Sequence, residues 1–153
     1  MFKKFFITFI FILFTNSAYA KQIKIISDKL EIMRTESISI FSGNVHAMED
    51  NLEIWSEELV VTLSKDEKEI KEINAYGNVK ILREELREEL SINGDKARYD
   101  PIKNKLLVFG KVEVLQNQST ILCDRIIVDL ENSSSIMSSD SNKRVEALII
   151  NEN

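Results

Sequence analysis

The sequence predicts an all-β domain assembled from repeated antiparallel hairpins, and three observations carry that expectation. Apolar and polar residues alternate with period two from residue 23 to about 130, the pattern of strands with one buried face. An aromatic residue and a glycine, closing on valine, recur as "FSGNV" (41–45), "YGNV" (76–79) and "FGKV" (109–112). A longer pattern, apolar-x-small-acid-x-apolar-x-apolar, occurs as "IISDKLEI" (25–32), "IWSEELVV" (54–61), "INGDKARY" (92–99) and "ILCDRIIV" (121–128).

The N-terminus is set apart from this repeat. Lys3 and Lys4 precede the apolar run Phe5 to Phe14, and Ala18-Tyr19-Ala20 places small residues at both cleavage positions, which reads as an export signal over residues 1–20. The apolar run is shorter than the roughly 20 residues that span a bilayer, which weighs against a retained anchor. The expected product is one mature domain over 21–150 with a short tail at 151–153.

Removing Lys3 and Lys4 moves the formal net charge from -5 to -7. An acidic surface without a basic stripe argues against nucleic acid and against docking on anionic headgroups by charge alone. Cys123 is the single cysteine, so no intrachain disulfide forms and the domain depends on packing and backbone pairing. Only the Ser-rich segment 133–141 is linker-like.

Each element of the repeat has a physical role. Glycine supplies a positive φ or a close backbone approach at a turn or bulge, and the valine after it begins a strand. In the longer pattern the small residue and the acid mark a bend, after which apolar residues face one side. The inner-face candidates are Ile38, Ile40, Val45, Leu52, Ile54, Leu59, Val61, Val79, Ile81, Ile92, Tyr99, Leu106, Val108, Val112, Val114, Ile126 and Val128. The N-terminal strand around Ile23, Ile25, Leu30 and Ile32 and the late segment "KRVEALII" with Val145, Ala147 and Ile149 are the candidate edges.

"REELREEL" (83–90) is the exception to strand-like composition. Its residues are good helix formers, and Leu82, Leu86 and Leu90 fall at helical spacing. Spacing decides against a helix. Gly43 to Ser56 and Gly110 to Cys123 are both 13 residues, whereas Gly77 to Gly94 is 17, longer by one "REEL". Small residue to next glycine is 16 residues in two copies and 21 in the third, where "SKDEKE" sits. Both insertions are assigned to hairpin tips, where lengthening costs little, and the first predicts a longer hairpin with room for a helical turn at its tip. More than a dozen short strands result; a closed barrel, a sandwich and an elongated jelly roll all fit, with a parallel β-helix as runner-up.

Few residues suggest chemistry. His46 is the only histidine and lacks a nucleophile partner or a second metal ligand at any known spacing. Asp28, Glu57, Asp95 and Asp124 occupy equivalent repeat positions, so they are spread along the molecule and do not form a catalytic pair. Cys123 stands where the other copies have Ser27, Ser56 and Gly94, the slot of a small buried residue. Phe41, Trp55, Tyr76, Tyr99 and Phe109 are spread through the repeat and are expected to fill the core. No metal or cofactor site and no active site is predicted.

Taken in order, "ISDKLEI", "FSGNV", "IWSEELVVTL", "INAYGNVKI", "INGDKARYDP", "LLVFGKVEVLQ", "LCDRIIVDLE" and "KRVEALI" resemble the OstA-like domain of the LptA family, periplasmic lipopolysaccharide-transport proteins, over about residues 23–150. The resemblance implies an elongated, twisted antiparallel β jelly roll, open at its ends, that carries the acyl chains of lipopolysaccharide (lipid A) in its interior. It also implies a non-enzymatic protein that joins head to tail with itself and with related jelly-roll domains of the inner- and outer-membrane transport components, bridging the periplasm. The apolar inner face then becomes the candidate lipid site, and the two edges become the candidate joints. The third turn carries Lys111 where asparagine is usual, and the duplicated "REEL" is particular to this chain. Two other readings fit the same residues: a membrane-anchored LptC-like component and a ligand-free scaffold that polymerises through β-edges.

Overall fold

A computed structural model of the chain describes residues 22–66, 68–85 and 88–151; the expected export signal and the tail residues 152–153 lie outside them. Among the described residues ten strands form one antiparallel sheet: β1 (Lys24–Ile26), β2 (Lys29–Met33), β3 (Ile38–Glu49), β4 (Leu52–Leu63), β5 (Ile70–Glu85), β6 (Glu88–Asp100), β7 (Lys105–Gln116), β8 (Ser119–Asp129), β9 (Ser134–Ser138) and β10 (Glu146–Leu148). β3 to β8 pair in sequence order. β1 and β2 both line the outer side of β3, and β9 and β10 both line β8.

The expected dozen-plus short strands are therefore replaced by six central strands of 11 to 16 residues, each bent near its middle. The parallel β-helix is excluded, since every pairing is antiparallel. The Ser-rich segment is not a linker but contains β9, which pairs with β8 from Arg125 to Asp129.

The repeated motifs build one straight crease. Register shifts fall between Ser42 and Val45, Trp55 and Glu58, Tyr76 and Val79, Asn93 and Lys96, and Phe109 and Val112, and the breaks between β1 and β2 and between β9 and β10 continue the same line. On the glycine strands two successive residues take positive φ: Gly43 and Asn44 (82° and 46°), Gly77 and Asn78 (81° and 44°), Gly110 and Lys111 (86° and 47°). Such paired left-handed residues make a bulge that bends the strand. The acid of the neighbouring strand seats each bulge: Asn44 Nδ2 donates to Asp28 Oδ2 at 2.9 Å and Asn78 Nδ2 to Glu57 Oε1 at 2.6 Å. At the last copy Asp124 Oδ2 accepts from the Asp140 backbone N–H at 2.8 Å, a bond that holds the Asp124 carboxyl below the usual range.

The crease divides the sheet into two wings of eight strand segments each. Wing 1 comprises β1, β10 and the halves of β3 to β8 that lead into the β3–β4, β5–β6 and β7–β8 connections. Wing 2 comprises β2, β9 and the other halves, which lead into the β2–β3, β4–β5, β6–β7 and β8–β9 connections. The wings fold face to face over one apolar core to which both contribute. The small residue of the longer motif sits inside the fold line. Ser56 and Cys123 are both 7% exposed, and a Cβ added at Gly94 would fall 2.5 Å from Val108 Cγ1.

The described residues of "REELREEL", 83–85 and 88–90, are strand, not helix. Pairing continues through Arg83 with Leu90, Glu84 with Glu89 and Glu85 with Glu88, so the duplication lengthens the hairpin by two residues on each arm. The tip residues 86 and 87, where a helical turn had room, lie outside the described residues.

Candidate functional site

The interior between the wings is the candidate site. Val45, Leu52, Ile54, Leu59, Val61, Val79, Ile81, Ile92, Tyr99, Leu106, Val108, Val112, Val114, Ile126 and Val128 all lie in it, buried. Ile38 and Ile40 do not. The register pairs Ile40 with Val60 and Ile38 with Thr62 on the outer face, while Phe41 pairs with the fully buried Leu59 and packs on the core. Alternation alone favours the more apolar of two parities; hydrogen-bonded register assigns the face.

Ala47 and Ala97, which alternate with Val45 and Tyr99, are buried in the interior as well, whereas sequence reading missed Ile73 and Ala75; the pairing of Ala75 with both Leu59 and Ala97 is the signal that places it there. Among the aromatics, Tyr99 and Phe41 point inward. Trp55, Tyr76 and Phe109 are corrected to the outer face, since they alternate with inward Ile54, Ala75 and Val108. There Trp55 stacks on His46 with ring centroids 4.6 Å apart and lies 5.6 Å from Lys80 Nζ, and Tyr76 lies 5.9 Å from Lys96 Nζ. Burial pushes the Cys123 thiol up, which favours the protonated, inert form.

Where the hairpin tips of the two wings meet, opposite the crease, the inner face turns polar. Tyr99 on wing 2 hydrogen-bonds Glu49 on wing 1. Burial and that carboxylate push the phenol well above its ordinary range. Arg83 Nη2 on wing 1 donates to the Leu130 carbonyl on wing 2 at 3.0 Å, and its guanidinium also pairs with Glu85. A cleft of about 200 Å³ opens along this seam, lined by Glu49, Asp50, Asn51, Arg83, Tyr99, Asn104 and Glu131 with Leu52 and Leu130.

These contacts reveal an offset between the wings. β3 of wing 1 faces β6 of wing 2, and β5 faces the β8–β9 turn. Wing 2 therefore overhangs at the N-terminal end and wing 1 at the C-terminal end. Leu30 and Ile32 share the inner face with Phe41 and Ser39 but are 48% and 62% exposed. At the other end Ala147 pairs with Ile121 on the inner side, and Val145 and Ile149 beside it are 41% and 75% exposed. Ile23 and Ile25 cover the core at the N-terminal end of wing 1. The candidate edge residues thus frame the two open ends.

Among the described residues no group of three or more His, Cys, Asp or Glu side chains is placed to hold a metal ion. The motif acids are occupied with their own bulges. What the arrangement offers is a long apolar interior, open at both ends and fastened by polar contacts along one side.

A family model described as LptA/(LptD N-terminal domain) LPS transport protein matches residues 24–134. Among solved structures, the fold is similar to LptH from Pseudomonas aeruginosa, described as the LptA-homologous periplasmic component of the conserved lipopolysaccharide transport device. The TM-score is 0.77 at 12% identity, covering 86% of this chain and 96% of that one. No curated protein matches the sequence.

Proposed function

The chain belongs to the LptA/LptD N-terminal domain family of lipopolysaccharide-transport proteins, and from that premise we propose that it is a periplasmic carrier whose interior takes the acyl chains of lipid A. The observation that carries this reading is the apolar inner face left uncovered at both ends, with Leu30 and Ile32 at one and Ile149 at the other more than two-fifths exposed. An ordinary filled core buries such residues. At roughly 0.8 kcal/mol per buried methylene, a dozen methylenes of one acyl chain gain about 10 kcal/mol from an apolar lining. The protein supplies a path and no bond chemistry.

The same ends suit head-to-tail joining, with itself and with related jelly-roll domains of the membrane components. β1 and β2 run from wing 1 to wing 2, and β9 and β10 run from wing 2 to wing 1. Placing the β9–β10 edge of one copy against the β1–β2 edge of the next continues the antiparallel alternation. The overhanging wing 1 of the first copy then covers the bare inner face of wing 2 on the second. Backbone groups unpaired on both edges gain partners, as in β-strand addition.

Photo-crosslinking amino acids at Val61 and Val112 test the carrying role in cells. Both are interior, and the outward Ile40 serves as control. Lipopolysaccharide adducts at Val61 and Val112 with none at Ile40 are expected. Their absence at both interior sites would overturn the reading.

A further inference from the structure

The duplicated tetrapeptide is accounted for neither by the crease nor by the apolar lining. Between crease and tip, β3 has five residues from Val45 to Glu49 and β7 has five from Val112 to Gln116, whereas β5 has seven from Val79 to Glu85. The extra length carries the β5–β6 hairpin past its neighbours and onto the opposite wing. There the Ser133 hydroxyl donates to Glu85 Oε1 at 3.4 Å, close to the bond from Arg83 to the Leu130 carbonyl. A cleft of about 120 Å³ runs beneath the hairpin, lined by Arg83, Glu85 and Glu88 on one side and by Ser133 to Ser135 on the other.

The interior behind this hairpin is shut. Val108, Val114 and Ile126 are 0% exposed, and farther along, at the N-terminal end of the interior, the cavity between Ile23 and Tyr99 is only about 10 Å³, the space of one water molecule. An acyl chain fits only if the wings separate. Along the crease six strands run on covalently from one wing to the other while their ladders are interrupted at bulges, the place where a sheet hinges most readily. The opposite side is held by side-chain polar contacts that water readily replaces.

We propose that the lengthened arms of the β5–β6 hairpin, residues 83–85 and 88–90, are a strap that fastens the seam, and that lipid enters laterally by displacing them as the wings hinge about the crease. This rests on the lipid-carrying reading and adds the route of entry and the element that limits it. Arg83 is the principal fastening. Its side chain is 14% exposed and has the inward parity of Val79 and Ile81, where a guanidinium with no bond across the seam would stand desolvated.

The test uses the mature chain with Cys123→Ser and fluorescently labelled lipid A as probe. Glu85→Cys and Ser133→Cys are joined by a short bis-maleimide, and the loading rate is compared with the unjoined protein. Joining should slow loading at least tenfold. In parallel, Arg83→Ala, and separately deletion of residues 84–87, should speed loading about tenfold, the scale of one hydrogen bond to a charged group. The deletion keeps Ile81 opposite Ile92, so the sheet register survives. Equal loading by joined and unjoined forms, or unchanged rates in both variants, overturns the strap while the carrier reading stands. Loading by none of the forms, unmodified protein included, overturns the carrier reading and the strap with it.

Discussion

Gly77→Ala probes the crease on which the fold depends. Gly77 has φ of 81°, and an added Cβ would fall 2.8 Å from Glu57 Cδ and 3.0 Å from Glu57 Cβ. The left-handed conformation costs a non-glycine residue about 1–2 kcal/mol. Forcing the contact with Glu57 costs about 1–3 kcal/mol more, so the variant should lose about 2–5 kcal/mol, a large share of the ~5–15 kcal/mol typical of a domain. Glu57→Ala alone removes the hydrogen bond from Asn78 on an exposed surface and should cost about 0.5–1.5 kcal/mol. In the double variant the overlap with the Glu57 carboxyl group is gone, whereas the 3.0 Å approach to the Cβ of residue 57 and the backbone strain remain. The two single losses should therefore exceed the double loss by about 1–3 kcal/mol. Equilibrium urea unfolding followed by Trp55 fluorescence measures all three. Additivity within about 0.5 kcal/mol would refute the claim that the acid is seated against the glycine bulge.

Two further outcomes follow from burial and charge. Leu59→Ala, at a side chain 0% exposed, should lose about 2–5 kcal/mol, whereas Ile40→Ala on the outer face should lose less than about 1 kcal/mol; similar losses in urea unfolding would mean that the face of β3 is wrongly assigned. The Tyr99 phenol has its pKa raised in the folded state by burial and by Glu49. The stability it contributes is thus full below the unfolded value of about 10 and is lost as pH rises toward the higher folded value. Unfolding free energy should fall in that alkaline range and Tyr99→Phe should lessen the fall, so an unchanged alkaline slope in the variant would exclude Tyr99 as its source.

Much of the fold was legible because repeated local chemistry has repeated local consequences. Each glycine followed by asparagine or lysine, and each small residue followed by an acid, bends a strand in the same way wherever it occurs. The spacing of those motifs marked the bends from Ser27 to Asp124 and assigned the extra "REEL" to a longer hairpin; the break between β9 and β10 carries no copy of the motif, and the pairing of Arg83 to Glu85 shows two added residues on each arm. The Ser-rich segment defeated the same reasoning. β9 is held by pairing with β8, although serine has little strand preference of its own.

The site was legible only as a face. Alternation selected fifteen residues that lie in the interior, yet reversed Ile38 and Ile40; it was the usual burial of aromatics, not alternation, that sent Trp55, Tyr76 and Phe109 inward. A strand that is apolar on both sides leaves its orientation to the neighbour it bonds, and the acid strands shift parity by one at the crease: inward residues run from Ser56 to Leu59 and from Cys123 to Ile126.

By itself, then, the sequence determined the hairpin repeat, the line of bends and the family likeness, since all are set by residues close together in the chain. The offset of the wings, the bare inner faces at both ends and the seam that joins Glu49 to Tyr99 and Arg83 to Leu130 were decided only in the tertiary structure. Glu49 and Tyr99 lie fifty residues apart, and Arg83 and Leu130 forty-seven. No local pattern encodes such a meeting, because it depends on how far a twisted sheet has turned by the time its two halves close.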